Sequence, residues 1–355
     1  MYLDGANALL NGQPLTGRQP SYLGYITVVA GLQAAGAGLA GIVITQLAAA
    51  SVAALAVYRI AVELGGRLPG AIAVLLFALD VDTNRWHAFV LSDSLFLSSL
   101  AIAAWLVHRA SAEAPSPQAV KPSSLRALGF SVSASLVLLA AGLIRPEGWF
   151  LVPVAASYVV IRRAASPAKR WLGLGVVAAA GVLLVIVLGP VLGGNLQAVG
   201  PGEMLQRGNT IWDYDGWRLP MPAESLPAHG SSAMTAVKYA VAHPLSTAGL
   251  MAARVGVHFA HVRPYFSTAH NAAIVLWLVP LYVLGGYGLW RLRANTLARW
   301  CVVVIGTQTV VVALTHADWD GRYLAHVMPL WYPFAAAGIA TAAARRTPGA
   351  ASVAA

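Results

Sequence analysis

Three short stretches hold most of the side chains that could do chemistry. Near the C-terminus, THADWDGRYLAHVMPLW (residues 315–331) sets Asp318, Asp320, Arg322 and Tyr323, with His316 and His326, between two long apolar runs. LFALDVDTNRWHAFVLSDSLF (76–96) carries Asp80, Asp82 and Asp93, and LIRPEGW (143–149) carries Arg145 and Glu147. A carboxylate can take or orient the proton of an incoming hydroxyl. A guanidinium beside it can hold the charge of a phosphate in two parallel hydrogen bonds. Ionisable groups next to hydrocarbon are costly, so their placement needs a reason. Interfacial anchoring is the plain alternative, with Trp319 and Tyr323 in an aromatic belt, and the two roles are compatible.

Other candidates are weighed in the same way. Asp4, in YLDGANALL, reads equally as a helix cap and as a working acid. Ser92-Asp93-Ser94 before an apolar run reads as a cap. Asp80 or Asp82 could meet an acceptor or a divalent cation, but no convergent set of oxygen ligands is legible, and a hard cation needs several. Arg145 and Glu147 read first as a clamp across a tight turn. WDYDGWR (212–218) mixes aromatics with acids, as a sugar site would, although a packed turn explains it too. Arg254, His258, His261 and Arg263 form a basic cluster suited to phosphate or to anionic headgroups. A single cysteine, Cys301, gives no disulfide framework, and no P-loop, dinucleotide or metalloprotease motif is present.

The elements that must position these groups are apolar. The chain has 355 residues, 58% hydrophobic and 10% charged, too oily for a soluble domain of this length. Apolar runs at 39–62, 68–80, 91–110, 128–144, 149–161, 171–192, 272–290, 300–315 and 326–344 predict nine membrane spans, an all-α polytopic bundle. The stretch 22–35 is shorter and reads as an interfacial or re-entrant helix. Alternation of the outer-membrane barrel kind is absent, as are internal repeats.

Of the 23 lysines and arginines, 14 fall in one set of short loops, which should be cytoplasmic. The other face then carries 11 of the 13 acids and the N-terminus. The net charge of +10 thus reflects basic cytoplasmic loops, with no nucleic-acid partner expected. Four regions follow: a membrane half over 1–192, an extracytoplasmic segment over 193–271, C-terminal membrane helices over 272–346 and a disordered tail over 347–355. Helix is expected from about 232 to 261 with a break at His243-Pro244, and a flexible linker over 113–124.

The order of these features resembles the GT-C superfamily of polytopic glycosyltransferases, which take sugars from polyprenyl-phosphate carriers, the dolichyl-phosphate-mannose-protein mannosyltransferases among them. YLDGANALLNGQPLTGRQPSYLGYI is similar to the end of the family's first outer loop, and LSDSLFLSSLAIAAWLVHR to its acidic helix start after the second. AAGLIRPEGWFLVP resembles its Arg-Pro-x-Gly hairpin, and DGRYLAHVMPLWYPFAAAGI its Asp-x-Arg-Tyr start of a late span. The likeness runs over about residues 2–344. It implies inverting sugar transfer at the extracytoplasmic face, with a polyprenyl-phosphate-linked sugar, the lipid bilayer and an extracytoplasmic acceptor as partners. It implies catalytic roles for Asp4 and Asp93, and donor-phosphate or substrate binding by Arg322, Asp320, Asp318, Tyr323, Arg145 and Glu147; Asp82 and Arg263 join that binding set on their own chemistry, as a possible acceptor or cation contact and as part of the basic cluster. No cofactor is firmly implied, and a divalent cation stays open. The family's usual acid precedes the tyrosine matched here by Tyr2, so either Asp4 takes that role or the acid and a first span lie upstream. A chain short of one leading helix is the expectation, and a non-catalytic, lipid-binding relative is then one alternative. A transporter or flippase is the other, and would want ionisable groups near mid-bilayer.

Overall fold

The structure, a computed structural model, describes residues 1–112, 122–164, 166–193, 201–223 and 233–346. The tail over 347–355, Glu113, Glu224 and the linker up to residue 121 lie outside the described residues. Residues 122–124 of the expected linker are helical instead, because Pro122 opens the next helix.

Among the described residues every regular element is helical, apart from two isolated β-bridges. In chain order the helices are α1 Tyr2–Leu10, α2 Leu23–Ala34, α3 Gly38–Gly65, α4 Arg67–Leu79, α5 Val81–Asn84, α6 Ser92–Ala112, α7 Pro122–Ile144 and α8 Leu151–Arg163. There follow α9 Pro167–Gly193, α10 Pro201–Gln206, α11 Ala233–Ala242, α12 Pro244–Ala260, α13 Thr268–Arg291, α14 Thr296–Leu314 and α15 Arg322–Arg346. Polar side chains start several of them. Ser267 caps α13 through the His270 amide, and Asn295 caps α14 through those of Leu297 and Ala298. His243 separates α11 from α12, as the His-Pro step predicts.

Among the described residues, six helices (α3, α6, α7, α13, α14 and α15) are long and apolar enough to cross a membrane. The expected spans at 68–80 and 149–161 form helices of only 13 residues each. At 1.5 Å per residue that is about 20 Å, short of a hydrocarbon core of about 30 Å. The expected span at 171–192 falls in α9, of 27 residues. Helix α2, expected to be interfacial, buries Tyr25, Ile26, Val29 and Ala30 and packs on α1, α3 and α7.

The main core joins α3, α4, α6 and α15 with α13 and α14, which contribute Leu278, Leu281, Trp300, Cys301 and Val304 to it. Outward faces stay apolar: Ile44, Leu47, Val52 and Leu55 on α3, and Val275, Leu276, Val279 and Val283 on α13, are exposed. Such stripes in water would be a liability, and in a bilayer they are the lipid contact. Between α13 and α15 the backbones approach closely. A Cβ on Gly288 would strike the Phe334 carbonyl, and one on Gly338 the Leu284 carbonyl. Small residues at such a crossing let membrane helices reach van der Waals contact.

Candidate functional site

At one end of the bundle, the N-termini of α6 and α15 meet the α7–α8 hairpin around Asp93. This carboxylate is fully buried. Its Oδ1 accepts from Arg145 Nη1 at 2.5 Å and lies 3.0 Å from His326 Nε2. Its Oδ2 makes no hydrogen bond and lies 4.0 Å from Arg322 Nη1. One acid thus gathers cationic side chains from two further elements. Arg145 also donates to Glu147, Nη2 to Oε1 at 2.8 Å, so the clamp read from LIRPEGW is present. Phe96, Tyr22 and Tyr323 surround the Arg145 guanidinium within 6.0 Å. Burial opposes the Arg145 charge, yet the Asp93 and Glu147 carboxylates hold its pKa well above the ordinary value. Glu147 answers in kind: burial works against its charge, but Arg145 keeps its carboxyl below the usual range.

Two cavities open beside this cluster. The first is a polar chamber of about 500 Å³, lined by Asp4, Arg18, Arg145, Asp318, Arg322 and aromatic residues. The second is a mainly apolar groove of about 320 Å³ along Phe150, Met204, Val311, Val312 and Leu314, with Glu147, Gln308 and His326 at its polar positions. They share Arg18, Tyr22, Trp212, His316 and Tyr323. Arg18 lies over the Trp212 ring at 5.3 Å, and His316 meets the same ring edge-on at 4.6 Å. Burial, with Arg254 nearby, pushes the His316 pKa down to about 3, so its imidazole is neutral at pH 7.

The loop ahead of α15 is fixed through its carbonyls. Arg254 donates to those of Ala313 and Leu314, Arg263 to Asp318, Tyr265 to Trp319 and Arg85 to Asp320. Trp212 N–H donates to the Ala317 carbonyl, and Ala317 N–H to that of Thr210. Asp318 then caps α15, accepting from the backbone N–H of Arg322 at 2.7 Å and of Tyr323 at 3.3 Å. Gly321 has φ +80, and a Cβ there would run into the His261 ring.

The structure places the residues singled out from sequence as follows. Asp4, Arg145, Asp318, Arg322 and Tyr323 line the chamber, and Glu147 lines the groove. Asp4 does not cap α1 but sits inside its first turn, exposed, its carboxylate 2.8 Å from the Met1 ammonium. Asp93 lies behind the chamber wall and positions Arg145, Arg322 and His326. Asp82 and Asp320 line neither cavity. Asp82 faces His261 and Arg85, each at 3.6 Å, and burial of its carboxylate is outweighed by His261 and then Arg85, which leaves its pKa lowered. Asp80 is buried and accepts from Thr83 and Tyr332. Arg263 is also buried, its guanidinium donating to the carbonyls of Val257, Val262 and Asp318 rather than facing a ligand. With Arg254, His258 and His261 equally buried, that basic cluster does not meet headgroups. Among the described residues no three of His, Cys, Asp and Glu converge to hold a metal ion.

Arg18, Tyr22 and Gln308 were not singled out from the sequence. Arg18 carried one legible signal: it is the only basic residue before Arg59. Compared with known protein families, curated proteins and solved structures, the chain matches none.

Proposed function

We propose that this protein is a multi-pass membrane glycosyltransferase of the GT-C type. It moves a sugar from a polyprenyl-phosphate donor to an acceptor hydroxyl at the extracytoplasmic face, with the N-terminus on that face. The observation that carries the reading is the shared wall of the two cavities. A polar chamber with Arg18 and Arg322 opens beside an apolar groove along α14. That is the shape of an amphiphile with an anionic head and a hydrocarbon tail.

In this reading Arg322 and Arg18 hold the donor phosphate. Arg322 suits the role because it is part-exposed and its ion pair with Asp93 is long at 4.0 Å. The acceptor oxygen attacks the anomeric carbon, the bond from that carbon to the phosphate oxygen breaks, and the phosphate leaves with the electron pair. Asp4 takes the acceptor's proton, and the arginines stabilise the charge growing on the leaving group. Asp93 is a positioning residue.

The test is transfer by purified protein offered radiolabelled polyprenyl-phosphate sugars. Arg322→Ala should lose at least 100-fold in kcat/KM and weaken donor binding, and Asp4→Asn should lose rate with donor binding kept. Absence of both donor binding and turnover across hexose and pentose donors would refute the reading.

A further inference from the structure

A third cavity lies on the far side of the Trp212–His316 wall. It is small, about 110 Å³, and is lined by Arg207, Asn209, Trp212, Asp213, Asp215 and Arg254. We infer that this cleft binds the hydroxyl-bearing edge of a carbohydrate, and that the acceptor is therefore a sugar or a glycan. The word acceptor rests on the glycosyl-transfer reading; the binding itself does not.

The charged groups of the lining already balance one another: Arg207 donates to Glu203, and Asp215 accepts from Asn209 and Arg218. A neutral diol adds hydroxyls that a carboxylate's remaining lone pairs can accept, without displacing these pairs. A phosphate or carboxylate ligand fits less well. Arg254, the buried cation at the back, already donates to the carbonyls of Met204, Asn209, Ala313 and Leu314, and two aspartates flank the cleft. A metal cation would face Arg207 and Arg254. A neutral polyol meets neither objection.

Asp213 holds φ +53, a left-handed conformation that aspartate adopts more readily than most non-glycine residues. The Ile211–Ala317 bridge fixes the chain beside it, with Trp212 N–H on the Ala317 carbonyl at 2.8 Å.

Beyond Asp215, Trp217 and Trp319 are each 37% exposed, with Tyr214 packed edge-on against both at 6.5 Å and 5.9 Å; Tyr265 covers one face of Trp319, stacked at 4.0 Å, so Trp217 is the more open ring. Exposed aromatic rings beside a polar cleft offer stacking surface to further sugar units. Trp212 and His316 line this cleft and the chamber alike, so a sugar held here has one edge beside the reacting centre.

The experiment is saturation-transfer NMR on the full chain in a detergent without a sugar headgroup. The probes are methyl hexopyranosides, methyl pentofuranosides and a linear tetrasaccharide. At least one should bind, at least ten-fold more weakly to Asp213→Asn and to Asp213→Gly. Both substitutions tolerate the left-handed backbone, so lost binding would not reflect a collapsed turn. Trp217→Ala should weaken the tetrasaccharide more than the monosaccharides. Donor hydrolysis by water should persist in Asp213→Asn while transfer to glycoside falls. Saturation of no glycoside, or equal saturation in the Asp213 variants, overturns the inference. Sugar binding without any donor binding would uphold the cleft and sink the transferase reading instead.

Discussion

At the residue scale the centre of the account is one buried carboxylate. Asp93 is surrounded by Arg145, His326 and Arg322. Removing one member of a buried charge cluster strands the others without solvent, at about 3–5 kcal/mol. Asp93→Asn should therefore unfold in detergent with a stability loss of that order, read as a lower midpoint in a denaturant titration. An unchanged midpoint would mean that the cluster is solvated. Sequence reasoning found Asp93, Arg145, Glu147 and Arg322, because each stands beside a proline, a glycine or a helix start that marks a span end. It could not see that Asp93 joins them, since their partnership spans 52 residues to Arg145 and 233 to His326. It assigned Arg263 to the donor because a basic residue near an interface looks available; only packing reveals that the residue is buried and that carbonyls accept from both of its terminal nitrogens.

At the element scale the account depends on a rigid loop before α15. Carbonyls of residues 313, 314 and 317–320 accept from other parts of the chain, so the backbone that carries Arg322 has little freedom. Gly321→Ala meets both a positive φ and the His261 ring. It should displace the α15 start, with faster proteolysis near residue 320 and a kcat loss of at least ten-fold. Wild-type proteolysis together with full activity would show that the loop does not position Arg322. The sequence foretold the helices well, since apolar runs and the His243-Pro244 step mark their ends. Hydropathy alone counts the runs at 68–80 and 149–161 as spans, although each is 13 residues long, the length their helices have in the structure and short of a hydrocarbon core.

At the scale of the whole molecule, buried neutral histidines tie stability to pH. Burial holds His258 down to about 4, and burial with Arg254 holds His316 down to about 3. In the unfolded chain both titrate at about 6.5. The unfolded state therefore binds more protons below that pH, and stability present above about 6.5 is lost progressively as pH falls toward 4. Thermal midpoints should drop between pH 7 and 4.5, and His258→Gln with His316→Gln should flatten the drop; an equal drop in that double variant would contradict this cause. Orientation has its own test. Cys301 is fully buried, so an impermeant maleimide should label Asp215→Cys on intact cells and Arg293→Cys only after permeabilisation. The reverse pattern would turn the bundle over.

The most direct measurement of the central claim is transfer from a polyprenyl-phosphate sugar by wild type and Arg322→Ala, with donor binding measured alongside. Wild type should bind and turn over at least one donor, and Arg322→Ala should bind it more weakly and lose at least 100-fold in kcat/KM. Equal donor affinity in the two proteins, or no turnover by wild type with any donor, would contradict it.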